Sequence, residues 1–361
     1  MNRIFNFSAG PCTLPLPALE KAQAEFVDYQ GKGMSLIEMS HRSKEYDAVH
    51  MDAMDLIREL FDVPKNYKIL FLGGGATLQF GMIPMNFLPQ GQSADYTLTG
   101  AWAKKAYKDA TKVGNVNVVY DGKDENYLNL PDPASLKLDP GAAYLHLTSN
   151  ETIGGVQWKS FPDAGSVPII CDMSSDFMSR RVNVADFDMI YAGAQKNAGP
   201  AGVGIAIIKD ELLAKCPDNL PAYLNYKTHA DKDSLYNTPP VFAIYMVGLT
   251  MKWLKGIGGL EAAERLADER AGLIYGAMEA SDGYYRCPVP EAVRSKMNIV
   301  FRLPSEDLEK KFIAEALEKG MSGLKGHRDV GGCRASVYNA MPVEGAKALA
   351  TFMADFQKAN G

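Results

Sequence analysis

Seven short apolar runs punctuate the first part of the chain: KILFL (68–72), ADYTL (94–98), NVNVVY (115–120), AAYLHL (142–147), VPIIC (167–171), FDMIYA (187–192) and VGIAII (203–208). Each is too short for a stable helix and rich in β-branched or aromatic residues, so each predicts a strand. Between several of them the period changes to that of a helix, as in AWAKKAYKDATKVG. Strands alternating with helices predict a largely parallel, seven-stranded sheet covered by helices. After the Pro239-Pro240 pair come long helical patterns, VFAIYMVGLTMKWLKG and GLEAAERLADERAGLIYGAMEAS. A mixed tail follows, with MNIVFRL, EDLEKKFIAEALEKG, CRASVYNAM and VEGAKALATFMADFQKA. The change of texture near Gly258 predicts a large α/β domain over 16–257 and a smaller α+β domain built from 258–361 and the arm 1–15.

Composition narrows the class without changing this picture. The 361 residues are 47% hydrophobic and 22% charged, an ordinary globular balance with material for two domains. A net charge of −5 with no concentrated basic arm argues against nucleic acid and anionic membrane as partners. MNRIFNFSAGPCTLP has no apolar core of signal-peptide length and no later run has the length of a membrane span, so a cytoplasmic location is expected. Five scattered cysteines without CxxC spacing predict free thiols and no metal site.

In an open parallel sheet, ligands collect at the carboxyl ends of the strands. Three of those ends are unusual here. LGGGATLQF follows the first run: a glycine turn entering a helix presents N–H groups and a dipole to a phosphate, with the Thr77 hydroxyl beside them, though a simple tight turn would look the same. Asp172 directly follows VPIIC, where it either caps a helix or holds a cation in the crevice. Lys196 lies in YAGAQKNAGPAGVG, a junction of small residues between two apolar runs, where a solvated lysine is the ordinary alternative. Together the three match what pyridoxal 5′-phosphate (PLP) requires: a phosphate cradle, an amine for its aldehyde and an anion beside its ring nitrogen. Trp102 in TGAWAKK, at another strand end, offers a stacking face for the ring. Two His-Arg steps, His41-Arg42 and His327-Arg328, together with Arg334, are donors suited to phosphate and carboxylate.

The ordered series FNFSAGPCTLP, SHRSKEYD, NYKILFLGGGATLQF, GAWAKKA, SNETIGG, CDMSSDF, YAGAQKNAGPAG, YNTPPVFAIY and KGHRDVGGCRASVYNAM resembles the phosphoserine aminotransferase family. That family belongs to the class-V aminotransferases, PLP enzymes of fold type I. The resemblance implies that Lys196 joins the cofactor, Asp172 pairs with its ring nitrogen and Trp102 stacks on the ring. Ala76, Thr77 and Gln195 are implied at the cofactor phosphate and Thr152 on the phenolic-oxygen side, while Asn237 and Thr238 reach the neighbouring subunit's cofactor in a homodimer with shared sites. Arg334 is implied to bind the substrate α-carboxylate, and His41, Arg42, His327 and Arg328 the phosphate or the distal carboxylate. The implied reaction is transamination between L-glutamate and 3-phosphohydroxypyruvate, with 4-phosphohydroxy-threonine as a second product of interest. The chain departs from some relatives that carry arginine inside the glycine turn, where it has Ala76-Thr77, and serine where it has Ala9. Two rivals are a cysteine desulfurase using Cys333, against which Trp102 and Gln195 stand where those enzymes typically carry histidines, and a non-enzymatic phosphate-binding module.

Overall fold

The computed structural model describes residues 3–328 and 330–361. Each of the seven apolar runs contributes a strand to one sheet, the last four runs beginning one to three residues ahead of theirs: β1 (Tyr67–Leu72), β2 (Ser93–Leu98), β3 (Asn115–Asp121), β4 (Leu145–Thr148), β5 (Ile169–Asp172), β6 (Met189–Gly193) and β7 (Gly204–Lys209). Their order across the sheet is β1-β7-β6-β5-β4-β2-β3. Neighbours from β6 to β3 pair in parallel, whereas β7 runs antiparallel to both β6 and β1. The reason for the one reversed strand is chain length. Only residues 194–203 join β6 to β7, too few for a crossover, so β7 must turn back beside β6. That short connection carries Lys196, closed at its base by the Ala194 N–H donating to the Val203 carbonyl at 3.1 Å.

The inner strands read as near-continuous apolar runs because both faces of the sheet are buried there, whereas the edge strand β3 has no buried residue and alternates polar with apolar. Side chains alternate between two cores. Ile69, Leu145, Leu147, Ile169, Ile190 and Ile205 point to one, closed by Ile57 of helix Lys44–Leu60 and by Ile244 and Val247 of helix Val241–Gly256. Leu70, Tyr144, Ile170, Tyr191, Ala206 and Ile208 point to the other, against Phe80 and Ile83 of helix Gly75–Phe87 and Ala106 of helix Ala101–Ala110. A one-residue slip of any central strand would exchange these two sets of shapes.

The last third of the chain surrounds a third core. The antiparallel pair Asn298–Phe301 and Cys333–Ser336 packs with helices Gly259–Glu279, Glu306–Glu318 and Val343–Asn360, through Ile274, Phe312, Leu349 and Phe352. The N-terminal arm joins it: Phe5–Asn6 pairs with Met321–Ser322, and Phe7 is fully buried in the same core. The arm then continues to the carboxyl ends of the large sheet, where Gly10 and Pro11 line a cavity. Among the described residues no helix is long and apolar enough to cross a membrane.

Candidate active site

That cavity, about 340 Å³, lies where β1, β2, β4, β5 and β6 end. After β1 the chain turns through Gly74, whose φ of 74° is a left-handed conformation that suits glycine, and enters helix Gly75–Phe87. No side chain caps this helix. Its first N–H groups have no partners within the helix, and Gly74, Gly75, Ala76 and Thr77 form one wall of the cavity. Uncapped N–H groups at a helix start, facing a cavity, are suited to an anion without any arginine in the turn.

The acid and the amine come from neighbouring strand ends. Asp172, the last residue of β5, is 3% exposed and accepts from the Ser174 N–H at 2.8 Å and the Ser174 hydroxyl at 2.6 Å. Burial pushes its carboxyl up, while the Ser174 bonds and the Lys196 charge oppose that shift. Lys196 is 8% exposed, and its Nζ donates to Thr152 Oγ1 at 2.6 Å and stands 5.5 Å from the centre of the Trp102 ring. Burial pushes its ammonium down to about 8; Asp172 and Glu151 oppose this and Arg334 adds to it. The backbone of the loop is pinned from the N-terminal arm, because Cys12 Sγ donates to the Lys196 carbonyl at 2.7 Å.

Trp102, Thr152 and Gln195 line the same cavity. Arg334 stands just behind Thr152, donating from Nη1 to its carbonyl at 3.2 Å, and its Nε is buried without a partner. A second cavity of about 290 Å³ continues past this arginine, lined by Ile153, Gly154, Arg302, His327 and Cys333. Arg328, next to His327, is exposed. Besides Arg328, four sequence-predicted residues line neither of these two cavities of their own chain. His41 and Arg42 precede helix Lys44–Leu60, half-buried and exposed respectively, and Asn237 donates to the Thr238 carbonyl at 3.0 Å ahead of helix Val241–Gly256.

Residues without a role in the sequence reading also enter the site: Gly10, Pro11, Asn150, Ser174 and Ser175 line the cavity, and Glu151 lies behind Trp102. The arm was recognisable only as the motif FNFSAGPCTLP, and Glu151 is a single carboxylate between polar neighbours with no spacing to mark it. Among the described residues no group of three or more His, Cys, Asp or Glu side chains is placed to hold a metal. Cys333 is 1% exposed and burial pushes its thiol far up, an environment opposed to the thiolate that a desulfurase needs.

The chemistry of the walls fits PLP. An uncapped helix end, a buried acid, a buried amine and a tryptophan face meet in one cavity, and Thr148 Oγ1 and Trp102 Nε1 are buried polar atoms of its wall left without partners. Comparison with known proteins agrees. The family model for class-V aminotransferases matches residues 4–349. The phosphoserine aminotransferase of Niallia circulans is 52% identical over 359 residues, covering 99% of each chain, and that of Desulfatibacillum aliphaticivorans is 52% identical over 362 residues, covering 100% of this chain and 99% of the relative. The solved structure of the enzyme from Bacillus circulans subsp. alkalophilus superposes with a TM-score of 0.98 at 52% identity, covering 99% of each chain. A PLP-bound phosphoserine aminotransferase from Trichomonas vaginalis superposes with a TM-score of 0.90 at 37% identity, covering 98% of this chain and 100% of the other. The chain belongs to the class-V aminotransferases and, within them, to the phosphoserine aminotransferase family. It is an aminotransferase, and its cofactor is PLP.

Proposed function

We propose that the protein transfers the amino group of L-glutamate to 3-phosphohydroxypyruvate, giving O-phospho-L-serine and 2-oxoglutarate for serine biosynthesis. The observation that carries this reading is the meeting of buried Lys196, buried Asp172 and the uncapped glycine turn in one cavity beside Arg334. Bound there, PLP supplies an aldehyde carbon for the amino group and an electron-withdrawing ring for the pair released at the substrate's Cα. Ala76, Thr77 and Gln195 hold its phosphate, Asp172 holds the proton on its ring nitrogen, Thr152 contacts its phenolic side and Trp102 covers one ring face. Lys196 Nζ takes the proton from Cα of glutamate and, in the second half-reaction, returns one to Cα of the product. Arg334 binds the α-carboxylate in both. His41, Arg42, His327 and Arg328 receive the phosphate of one substrate and the distal carboxylate of the other, which lets two anionic side chains share one site. The reaction is placed in the cytoplasm, and 4-phosphohydroxy-L-threonine is a second product of the same chemistry.

Following the cofactor's colour change separates the half-reactions. Glutamate is expected to drive the first and phosphorylated 2-oxo acids the second, with unphosphorylated 2-oxo acids at least roughly tenfold slower, since a dianion paired with arginine is worth more than ~1.4 kcal/mol. Equal rates across the panel would remove the phosphate from the assignment.

The reading also requires two chains, because His41, Arg42, Asn237 and Thr238 lie outside the cavity of their own subunit. Mixing Lys196→Ala with Thr238→Ala subunits is expected to restore activity, since one of the two sites in each mixed dimer carries neither lesion. Subunit exchange proved by mass, with no recovery of activity, would show that the sites are not shared.

A further inference from the structure

Glu151 has no role in the scheme above, yet it is completely buried beside the Lys196 cavity. Helix Ala101–Ala110, which carries Trp102, begins at Gly100 without any capping side chain of its own. Its first N–H groups therefore need an acceptor from elsewhere in the fold. Glu151 provides it: Oε2 accepts from the Trp102 N–H at 3.2 Å, and Oε1 accepts from the Ala103 N–H at 3.0 Å and the Thr99 hydroxyl at 3.5 Å. A carboxylate here also meets the positive end of the helix dipole. Gly100 is the complementary half of the arrangement, since a Cβ at that position would come within 2.3 Å of the Glu151 carboxyl carbon.

The neighbours of Glu151 link it to the rest of the site. Thr152 accepts from Lys196 Nζ on its hydroxyl and from Arg334 on its carbonyl. Asn150 is tied down by bonds with Ser175, Asn298 and Ser295 at 2.7, 2.8 and 2.6 Å. Three consecutive residues thus connect the tryptophan, the lysine and the arginine to one fixed point. We propose that Glu151 is a positioning residue that holds the first turn of the Trp102 helix, and so fixes the tryptophan plate relative to Lys196 at the separation a flat cofactor ring requires. The proposal rests on the reading that Trp102 stacks on the cofactor.

Charge gives it a signature that packing alone lacks. Burial pushes Glu151 up to about 7, with Asp172 adding to the shift and the two N–H bonds and Lys196 opposing it. Two N–H groups are best served by the ionised form, so lowering the pH through about 7 is expected to loosen the turn. The test uses apoprotein prepared from the holoenzyme, following tryptophan fluorescence against pH and titrating with PLP; Trp102→Phe identifies the Trp102 signal above Trp158 and Trp253. Wild type is expected to show a Trp102 transition near neutral pH that Glu151→Gln abolishes, with PLP bound roughly ten- to hundred-fold more weakly, the worth of a charge-assisted hydrogen bond. Gly100→Ala, which displaces the carboxylate while keeping its charge, is expected to weaken PLP binding similarly and serves if the glutamine variant fails to fold. PLP binding within twofold of wild type in Glu151→Gln or Gly100→Ala, or an unchanged fluorescence transition in Glu151→Gln, would overturn the proposal. Should Trp102→Ala itself leave PLP binding unchanged, the stacking reading falls and this proposal falls with it; a loss there but not in the glutamine variant refutes Glu151 alone.

Discussion

Lys196→Ala is expected to lower steady-state transamination by at least about 10⁴-fold, the combined loss of a nucleophile and of a general acid–base group. An ordinary lysine leaves roughly one amine in a few thousand unprotonated at pH 7, whereas a lysine pushed down to about 8 leaves roughly one in ten. Burial in the β6–β7 connection is what makes the difference, and among the described residues no other lysine lines the cavity to take over. The same shift predicts a pH profile. Capture of PLP by apoprotein should quicken as pH rises through about 8 and then level off, because only the unprotonated amine attacks. A variant that keeps multiple turnover, or a wild-type profile still climbing past pH 10, would remove Lys196 from this role. Partial recovery with a small added amine would support it, since the missing group is chemical and not structural.

The strand plan was legible because burial of both sheet faces writes each inner strand as an apolar run regardless of its neighbours, while the edge strand β3, with no buried residue, is marked by alternating valines. The direction of β7 was not visible in that pattern, since apolar runs look alike whichever way they point. Counting the ten residues 194–203 against the length of a crossover would have settled it. The convergence of the candidate residues was legible for a related reason: in this topology ligands meet strand ends, so the meeting of Asp172, Lys196, Trp102 and the glycine turn in one cavity could be anticipated from their positions after apolar runs. Glu151, Cys12 and Gly10 could not. Their place at the site comes from approach in space, a carboxylate reaching a helix end 48 residues back in the chain and an arm folding over a loop 184 residues ahead. Gly100 illustrates the limit best. It looks like a turn residue, yet its φ of 172° is open to any side chain, and what demands glycine is the Glu151 carboxylate pressed against it. The two His-Arg steps were visible as chemistry but not as geometry, because one of them flanks the second cavity and the other lies away from both.

Arg334→Ala carries the second large expected effect. The arginine projects from strand Cys333–Ser336, half-buried, with one bond to the Thr152 carbonyl and a buried Nε that has no partner. Among the described residues it forms no ion pair with an acidic side chain. A guanidinium so placed is preorganised for an incoming carboxylate, because burial has already removed much of the competing water and no resident acid must be displaced. Losing such a charge pair costs about 2–5 kcal/mol, which corresponds to a fall in kcat/KM of roughly thirty-fold to several thousand-fold. Both half-reactions should suffer, since the proposed substrates, glutamate and the oxo acid, each bring an α-carboxylate. Arg334→Lys is expected to fall between, keeping charge but losing the fork. Two controls separate recognition from mere support of Thr152. An amine without an α-carboxylate, slow in wild type, should lose little further activity; an equal loss would mean that the arginine only props up the turn. The second control is the lysine itself. Because the Arg334 charge helps to depress Lys196, its removal should raise the pH midpoint for PLP capture above about 8, and a midpoint left in place would show that the guanidinium does not act on the amine across Thr152.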